Sequence, residues 1–156
     1  MHMSRFVKKL MKDYDDIRKI PIENVKVTCK DGDLYDCYCM FYDLKDEYEN
    51  GEFILNIKLA PNHPMDPPNF YFLTPNGRFD TNKKLCFSNS GYHRESWSPM
   101  WNLRTIIHGF LSFFLEKTST GIGHLTTDDS HKKSLALQSK NYNANNLREI
   151  LLLFDN

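Results

Sequence analysis

Apolar residues recur at Phe6, Val7, Leu10, Met11, Tyr14 and Ile17, the spacing of one helix face. The spacing predicts a helix over 4–18, with Ser4 as its N-cap and Arg5, Lys8, Lys9 and Lys12 on the polar side. Pro21 closes that helical region. The pattern then changes to strand-like runs. Residues 24–29 place Val25 and Val27 on one face, and 36–42 are rich in aromatics and cysteine. Residues 53–59 put Phe53, Leu55, Ile57 and Leu59 on a common face, and 70–73 read as the last strand. Lys30-Asp31-Gly32-Asp33 is a turn signal, and Glu49-Asn50-Gly51-Glu52 carries Asn-Gly, a strong hairpin signal. Pro61, Pro64, Pro67 and Pro68 forbid regular structure between the last two runs. These connections are too short for parallel crossovers, so the runs predict an antiparallel four-strand meander.

No period persists over 74–101, which is long for an ordered loop, yet its six large apolar residues, two of them tryptophans, argue against disorder. Helical spacing returns at Leu103, Ile106, Ile107, Phe110, Leu111, Phe114 and Leu115, after Asn102 as the expected cap. Gly121 and Gly123 mark a further loop. A third helix is predicted over 130–141, capped by Asp129 or Ser130, and a fourth over 145–154. The order is that of a single α+β domain spanning 1–156, with its core in about 4–143 and a C-terminal helix over 145–154.

Composition narrows the function classes. Lysine plus arginine equals aspartate plus glutamate, 20 each, so no basic excess points to nucleic acid. The longest late apolar cluster, residues 150–154, is far too short to cross a bilayer. Residues 1–6 lack the apolar core of a secretory signal, so the expected surroundings are the cytosol or nucleus. There the four cysteines, Cys29, Cys37, Cys39 and Cys86, are expected as free thiols. Cys37 and Cys39 share a strand face as small core hydrophobes, and no cysteine or histidine spacing suits a metal.

Cys86 differs in its surroundings. It follows Thr74-Pro75-Asn76-Gly77-Arg78-Phe79 and precedes His93 and Trp97-Ser98-Pro99-Met100-Trp101. A nucleophilic cysteine needs access, a route to its thiolate and donors for an acyl-transfer oxyanion. Asn76 is a candidate donor, and His93 a candidate base or loop-holding residue. Against this, a lone cysteine in Leu-Cys-Phe is more often packing than nucleophile, and a lone histidine more often a hydrogen-bonding surface residue.

Five motifs then stand in one order. They are Tyr48-Glu49-Asn50-Gly51-Glu52-Phe53, His63-Pro64-Met65-Asp66-Pro67-Pro68, Thr74-Pro75-Asn76, Leu85-Cys86 and Trp97-Ser98-Pro99. In order and separation they resemble the ubiquitin-conjugating enzymes, from the first helix to the third. Thr-Pro-Asn-Gly-Arg-Phe in place of the usual His-Pro-Asn, a longer gap to the cysteine, Gly109 to Phe113 and Leu135 to Ser139 resemble the J class. Members of that class are tail-anchored and serve endoplasmic-reticulum quality control. No such anchor lies within residues 1–156, so the expectation is a cytoplasmic protein: either a soluble relative, or a catalytic domain held on the cytosolic face of that organelle through a tail outside these residues.

The resemblance implies roles. Cys86 would carry ubiquitin as a thioester, received from an activating enzyme that consumes ATP, with no cofactor on this chain. With a RING-type ligase the ubiquitin would pass to a lysine of a protein substrate. Asn76 would stabilise the oxyanion or the loop that bears it. Thr74, where the family has histidine, would alter loop packing more than chemistry. His93 either assists a lysine or hydroxyl nucleophile, a hydroxyl needing a base more than a thiol does, or is a structural loop residue. Asp128 or Asp129 would orient the acceptor lysine, with a helix cap the alternative for Asp129. Arg5, Lys8, Lys9, Met65, Pro99 and Met100 would face the ligase and the activating enzyme; a solvated helix face is the alternative for the three cations. The competing functional reading is a catalytically silent module of the same fold that only binds ubiquitin or a ligase, against which Leu85-Cys86 stands. A Cys86/His93 hydrolase lacks a convincing third residue, and a plain adaptor leaves the five motifs unexplained.

Overall fold

The computed structural model describes residues 4–86, 97–116 and 128–155, with Cys86 as a backbone position. Helix α1 (Arg5–Lys19) begins where a side chain lets it begin: Ser4 Oγ accepts from the Val7 N–H at 3.1 Å. Its Leu10, Tyr14 and Ile17 turn inward, as the spacing predicts. The sheet runs β1 (Val25–Lys30), β2 (Asp33–Phe41), β3 (Phe53–Lys58), β4 (Asn69–Phe72) and β5 (Leu85–Cys86), each antiparallel to the next in that order. The first four are the predicted meander. The short β5 lies inside the stretch where no period was found, because two residues cannot display an alternation.

One turn departs from expectation. Asn50-Gly51 does not close a tight hairpin: Phe41 pairs with Phe53, and residues 42–52 form the connection, with a 3-10 turn at Asp46–Tyr48. Asn50 does take a positive φ of 68°, so the local preference is used, but to lead out of that turn. Burial decides the matter. Tyr48 is almost wholly enclosed, and its ring stacks 4.6 Å from Phe114. A two-residue turn would forfeit that contact.

Side-chain alternation gives the sheet a helix-facing side built from Cys37, Cys39, Phe41, Phe53, Leu55 and Ile57. Helix α2 (Leu103–Phe114) lies against it, capped by Asn102 Oδ1 on the Thr105 N–H at 2.8 Å as predicted. Phe110 stacks on Phe70 at 4.4 Å, while Phe114 meets Phe41, Phe53 and Phe72 at 5.8, 5.8 and 5.0 Å. Helix α3 (Asp129–Asn146) is longer than predicted, and its cap is Asp128, which accepts from the His131 N–H at 2.8 Å, rather than Asp129 or Ser130. The extra length follows from Asn143, whose buried amide bonds to the sheet and holds the last turn down. Helix α4 (Arg148–Leu153) is correspondingly short. It reaches the other side of the sheet, where Thr28 Oγ donates to the Leu153 carbonyl at 3.0 Å.

Gly51 sits where no side chain fits. A Cβ there would stand 2.5 Å from Phe53 Cζ and 3.0 Å from the Tyr48 carbonyl oxygen. The Phe53 ring is fully buried between Tyr48 and Phe114, so it has no free volume to move into. Gly51→Ala is expected to lose about 1–3 kcal/mol from overpacking, more than the ~0.4–1 kcal/mol gained by stiffening the unfolded chain. Urea denaturation with unchanged m-value checks it.

Candidate active site

After β4 the chain must turn back while keeping Phe79 in the core. Asn76 builds that turn. Its Oδ1 accepts from the N–H groups of Arg78 and Phe79 at 2.8 and 2.9 Å, and its Nδ2 donates to the Thr74 carbonyl at 3.0 Å. Gly77 takes φ 83°, a left-handed conformation that spares glycine the penalty a side chain would meet. Asn76 is fully buried. Of the two roles the resemblance implied for it, the contacts it makes are those of a loop builder.

Two neighbours lock this turn to the rest of the molecule. Thr74 Oγ accepts from the Ile54 N–H at 3.0 Å and donates to Asn143 Oδ1 at 2.6 Å. Asn143 Nδ2 in turn donates to the Glu52 carbonyl at 2.8 Å, while Ser139 Oγ accepts from the Glu52 N–H at 2.8 Å. Thr74 therefore ties α3 to the start of β3. Arg78 is buried, and its guanidinium donates to the carbonyls of Phe113 and Phe114 at 3.2 and 3.3 Å, closing the end of α2, where the Phe113 carbonyl also accepts the Glu116 N–H at 3.1 Å. The rings of Phe79 and Phe113 lie 5.2 and 5.1 Å from its Cζ. Burial lowers its pKa, but from a range so high that the charge is kept.

The chain then runs back beside β4. Thr81 bridges to Phe72, and the Asn82 N–H donates to the Phe72 carbonyl at 2.7 Å. In β5 Leu85 faces Phe70 and Cys86 faces Asn69 in the register. Leu85 is wholly buried, so the backbone at Cys86 is anchored one residue from the core. His93 lies outside the described residues. Asp128 is committed to capping α3, and Asp129, exposed in the first turn, is the residue without that task.

The predicted partner-facing residues divide. Arg5, Lys8, Met65, Pro99 and Met100 are exposed, Met100 to 85% and Met65 to 52%. Lys9 is not a free surface cation: its Nζ donates to Asp13 at 3.4 Å and to the Trp101 carbonyl at 3.3 Å. Asp13 also accepts the Leu103 N–H at 3.1 Å, so Lys9 and Asp13 dock α1 on the start of α2. Trp97 Nε1 donates to the Met65 carbonyl at 3.3 Å, which brings the proline box and the Trp97–Trp101 loop together. Beneath them His63 is 2% exposed, and neither ring nitrogen has a partner among the described residues. Burial, and then the charge of Lys9, push its pKa down to about 4. No grouping of three or more His, Cys, Asp or Glu among the described residues suits a metal ion.

A profile of the family described as "Ubiquitin-conjugating enzyme" matches residues 9–145. The chain belongs to the ubiquitin-conjugating enzyme family. Within it the J class is what this chain most resembles. It is 35% identical over 141 residues to "Ubiquitin-conjugating enzyme E2 J2-like" of Dictyostelium discoideum, covering 90% of this chain and 82% of that protein. It is also 35% identical over 136 residues to "Ubiquitin-conjugating enzyme E2 J2" of Mus musculus, covering 86% of this chain and 52% of the mouse protein. "Ubiquitin-conjugating enzyme E2 34" of Arabidopsis thaliana is 35% identical over 138 residues, with 88% of this chain and 58% of the plant protein covered. The chain thus spans little more than half the length of the last two. Among solved structures, human ubiquitin-conjugating enzyme E2 G1 superposes with a TM-score of 0.60 at 25% identity, covering 73% of this chain and 98% of the other. Ubiquitin, an activating enzyme and a ligase are the partners that the family implies in general.

The sequence pointed to Asn76 and Cys86 through their motifs, carried Arg78 and His63 in those motifs without a role, and did not mark Asp13 as a docking residue or Asn143 as a link to the sheet. A faint signal existed for Asn143: Ala136, Ser139 and Asn143 fall on one helical face and are the buried positions of α3. Nothing local marks Arg78, whose partners lie 35 and 36 residues away.

Two expectations follow for this ubiquitin-conjugating enzyme fold. Asn76→Ala removes the side-chain partner of two buried N–H groups and a carbonyl, so urea denaturation should show a loss of about 2–4 kcal/mol. His63 is held neutral in the fold. As pH falls below 6.5 the unfolded chain takes up a proton that the folded chain refuses, and stability drops until about pH 4, where both bind it. The native protein should therefore lose about 2–3 kcal/mol across that window relative to His63→Phe, in paired urea titrations.

Proposed function

We propose that Cys86 accepts ubiquitin from an activating enzyme as a thioester and, with a RING-type ligase, passes it to a lysine of a protein substrate. The observation that carries this reading is the family match over residues 9–145, which takes in both Cys86 and Asn76. The chemistry is two acyl transfers. The Cys86 sulfur attacks the carbonyl of the incoming thioester, a tetrahedral oxyanion forms, and the activating enzyme's thiol leaves. The substrate amine then attacks the new thioester, gives up a proton to a base or to water, and expels the Cys86 thiolate. No electrons change hands. ATP is consumed by the activating enzyme, and this chain takes no cofactor in the scheme.

The role of the fold is placement. A loop closed by Asn76 and bolted down by Thr74 and Arg78 precedes a strand pinned to β4, so Cys86 is reached from a rigid frame. Exposed Met65, Pro99 and Met100, their loops joined by the Trp97 contact to Met65, suit a small transient interface with the ligase, to which exposed Arg5 and Lys8 of α1 would add charge. Asp129 is the acidic residue we assign to orienting the lysine, and His93 the base for a hydroxyl acceptor. We place the activity in endoplasmic-reticulum-associated degradation on the cytosolic face of that membrane, on the strength of the J-class resemblance.

Incubation with ubiquitin, activating enzyme and ATP, followed by gels with and without reductant, tests the proposal. A ubiquitin-sized shift that thiol abolishes is expected, absent in Cys86→Ala and thiol-resistant in Cys86→Ser. No shift in the unmodified chain favours the silent binding module. In the same assay His93→Gln should slow discharge to a serine-containing peptide more than discharge to lysine; equal slowing assigns His93 to the loop alone.

A further inference from the structure

Three cysteines lie away from Cys86, on one side of β1 and β2. Cys29 and Cys37 are directly opposed in the register, and Cys39 follows two residues on, facing Val27. The type of pair is fixed by the ladder. The Tyr42 N–H donates to the Asn24 carbonyl at 3.0 Å, so Asn24 and Tyr42 form a hydrogen-bonded pair. Counting along the antiparallel strands, Thr28 and Tyr38 form another, and Cys29 and Cys37 occupy the non-hydrogen-bonded position beyond it. There the Cα atoms of opposed residues approach to about 4.5 Å, inside the ~4.4–6.8 Å that a disulfide spans. A register shift directly after Cys29 frees the strand to adjust there.

The two thiols differ in access. Cys29 is half-buried and lines an open cavity of about 440 Å³ with Tyr14, Arg18 and Leu34. Cys37 is fully enclosed behind it, beside the Tyr14 hydroxyl and the Cys39 thiol. An oxidant therefore meets Cys29 first, and the group waiting opposite is Cys37.

We propose that Cys29 and Cys37 form an oxidation site that closes into a cross-strand disulfide when the protein meets a peroxide or a disulfide oxidant. With hydrogen peroxide the Cys29 sulfur takes one oxygen as a sulfenic acid and one water is released. The Cys37 sulfur then displaces the second water, so two thiols and one peroxide give one disulfide and two waters. With oxidised glutathione the Cys29 sulfur first displaces one glutathione thiol, and Cys37 displaces the other. Burial, then the neighbouring Cys37, Asp31 and Asp33, raise the Cys29 thiol, so thiolate is scarce and closure is slow. The product staples the β1–β2 hairpin on which α1 rests through Tyr14, whose hydroxyl donates to the Leu34 carbonyl at 2.8 Å. It leaves Cys86 out of the reaction.

Trypsin makes the bond readable, because cleavage after Lys26, Lys30 and Lys45 puts Cys29 and Cys37 on separate peptides and keeps Cys39 with Cys37. The unmodified chain and Cys86→Ser are treated with hydrogen peroxide or oxidised glutathione, blocked with N-ethylmaleimide, digested and mapped by mass spectrometry without reductant. Joined peptides 27–30 and 31–45 are expected in both proteins, through Cys29 and Cys37, and a reductant should separate them. The link should persist in Cys39→Ser and vanish in Cys29→Ser. Cys29 left as a glutathione adduct or a sulfinic acid with Cys37 alkylated, a bond between Cys37 and Cys39, or all three thiols alkylated after prolonged treatment would each overturn the proposal.

Discussion

The contact between α2 and the inner face of the sheet is the interaction on which the rest depends. Leu103, Ile106, Ile107, Phe110 and Phe114 are wholly removed from water, and the rings of Phe110 and Phe114 meet aromatic partners from β2, β3, β4 and the turn at Tyr48. Apolar burial is non-directional, so it explains why these elements collapse together but not why they hold one arrangement. The arrangement is set at the rim, where Arg78 reaches the carbonyls at one end of α2 and Asp13 takes the Leu103 N–H at the other.

Those rim contacts are what convert a core into a site. The segment between β4 and β5 has few apolar residues of its own to bury, so polar groups with fixed directions must shape it. Asn76 uses both ends of its amide between Thr74 and Phe79, while Thr74 and Asn143 carry the constraint on to α3. Because Asn76, Thr74 and Arg78 are buried, each bond is made where water cannot replace it. The backbone of Cys86 is the end of this chain of constraints.

The surface assigned to partners obeys a different logic. Met65, Pro99 and Met100 lie on loops and remain exposed, while the groups supporting them, Trp97, Trp101, Lys9 and His63, are tied inward or enclosed. A well-tied base under exposed apolar side chains suits encounters that must be made and broken repeatedly. His63 is the weak point of that base, since a buried imidazole with no partner among the described residues is stable only while neutral.

The four longer strand runs, the first helix (read over 4–18 and found at 5–19), its Ser4 cap, the Asn102 cap and the inward pairing of Cys37 with Cys39 were all legible in the sequence. Each is a local matter of periodicity or of a side chain bonding within three residues, and local chemistry is written in local sequence. The Asn76 turn was legible as a motif, though its bonds were not. Other features were decided only by the tertiary structure. Tyr48 overrode the Asn-Gly hairpin because its ring had Phe114 to stack on, and Asn143 prolonged α3 because the sheet offered it a carbonyl and a hydroxyl. Arg78 became a helix-closing residue, and Cys29 came to face Cys37, through partners that folding alone brings within reach. An interaction across many residues leaves no period behind it, because its energy depends on where the chain returns and not on what stands beside it.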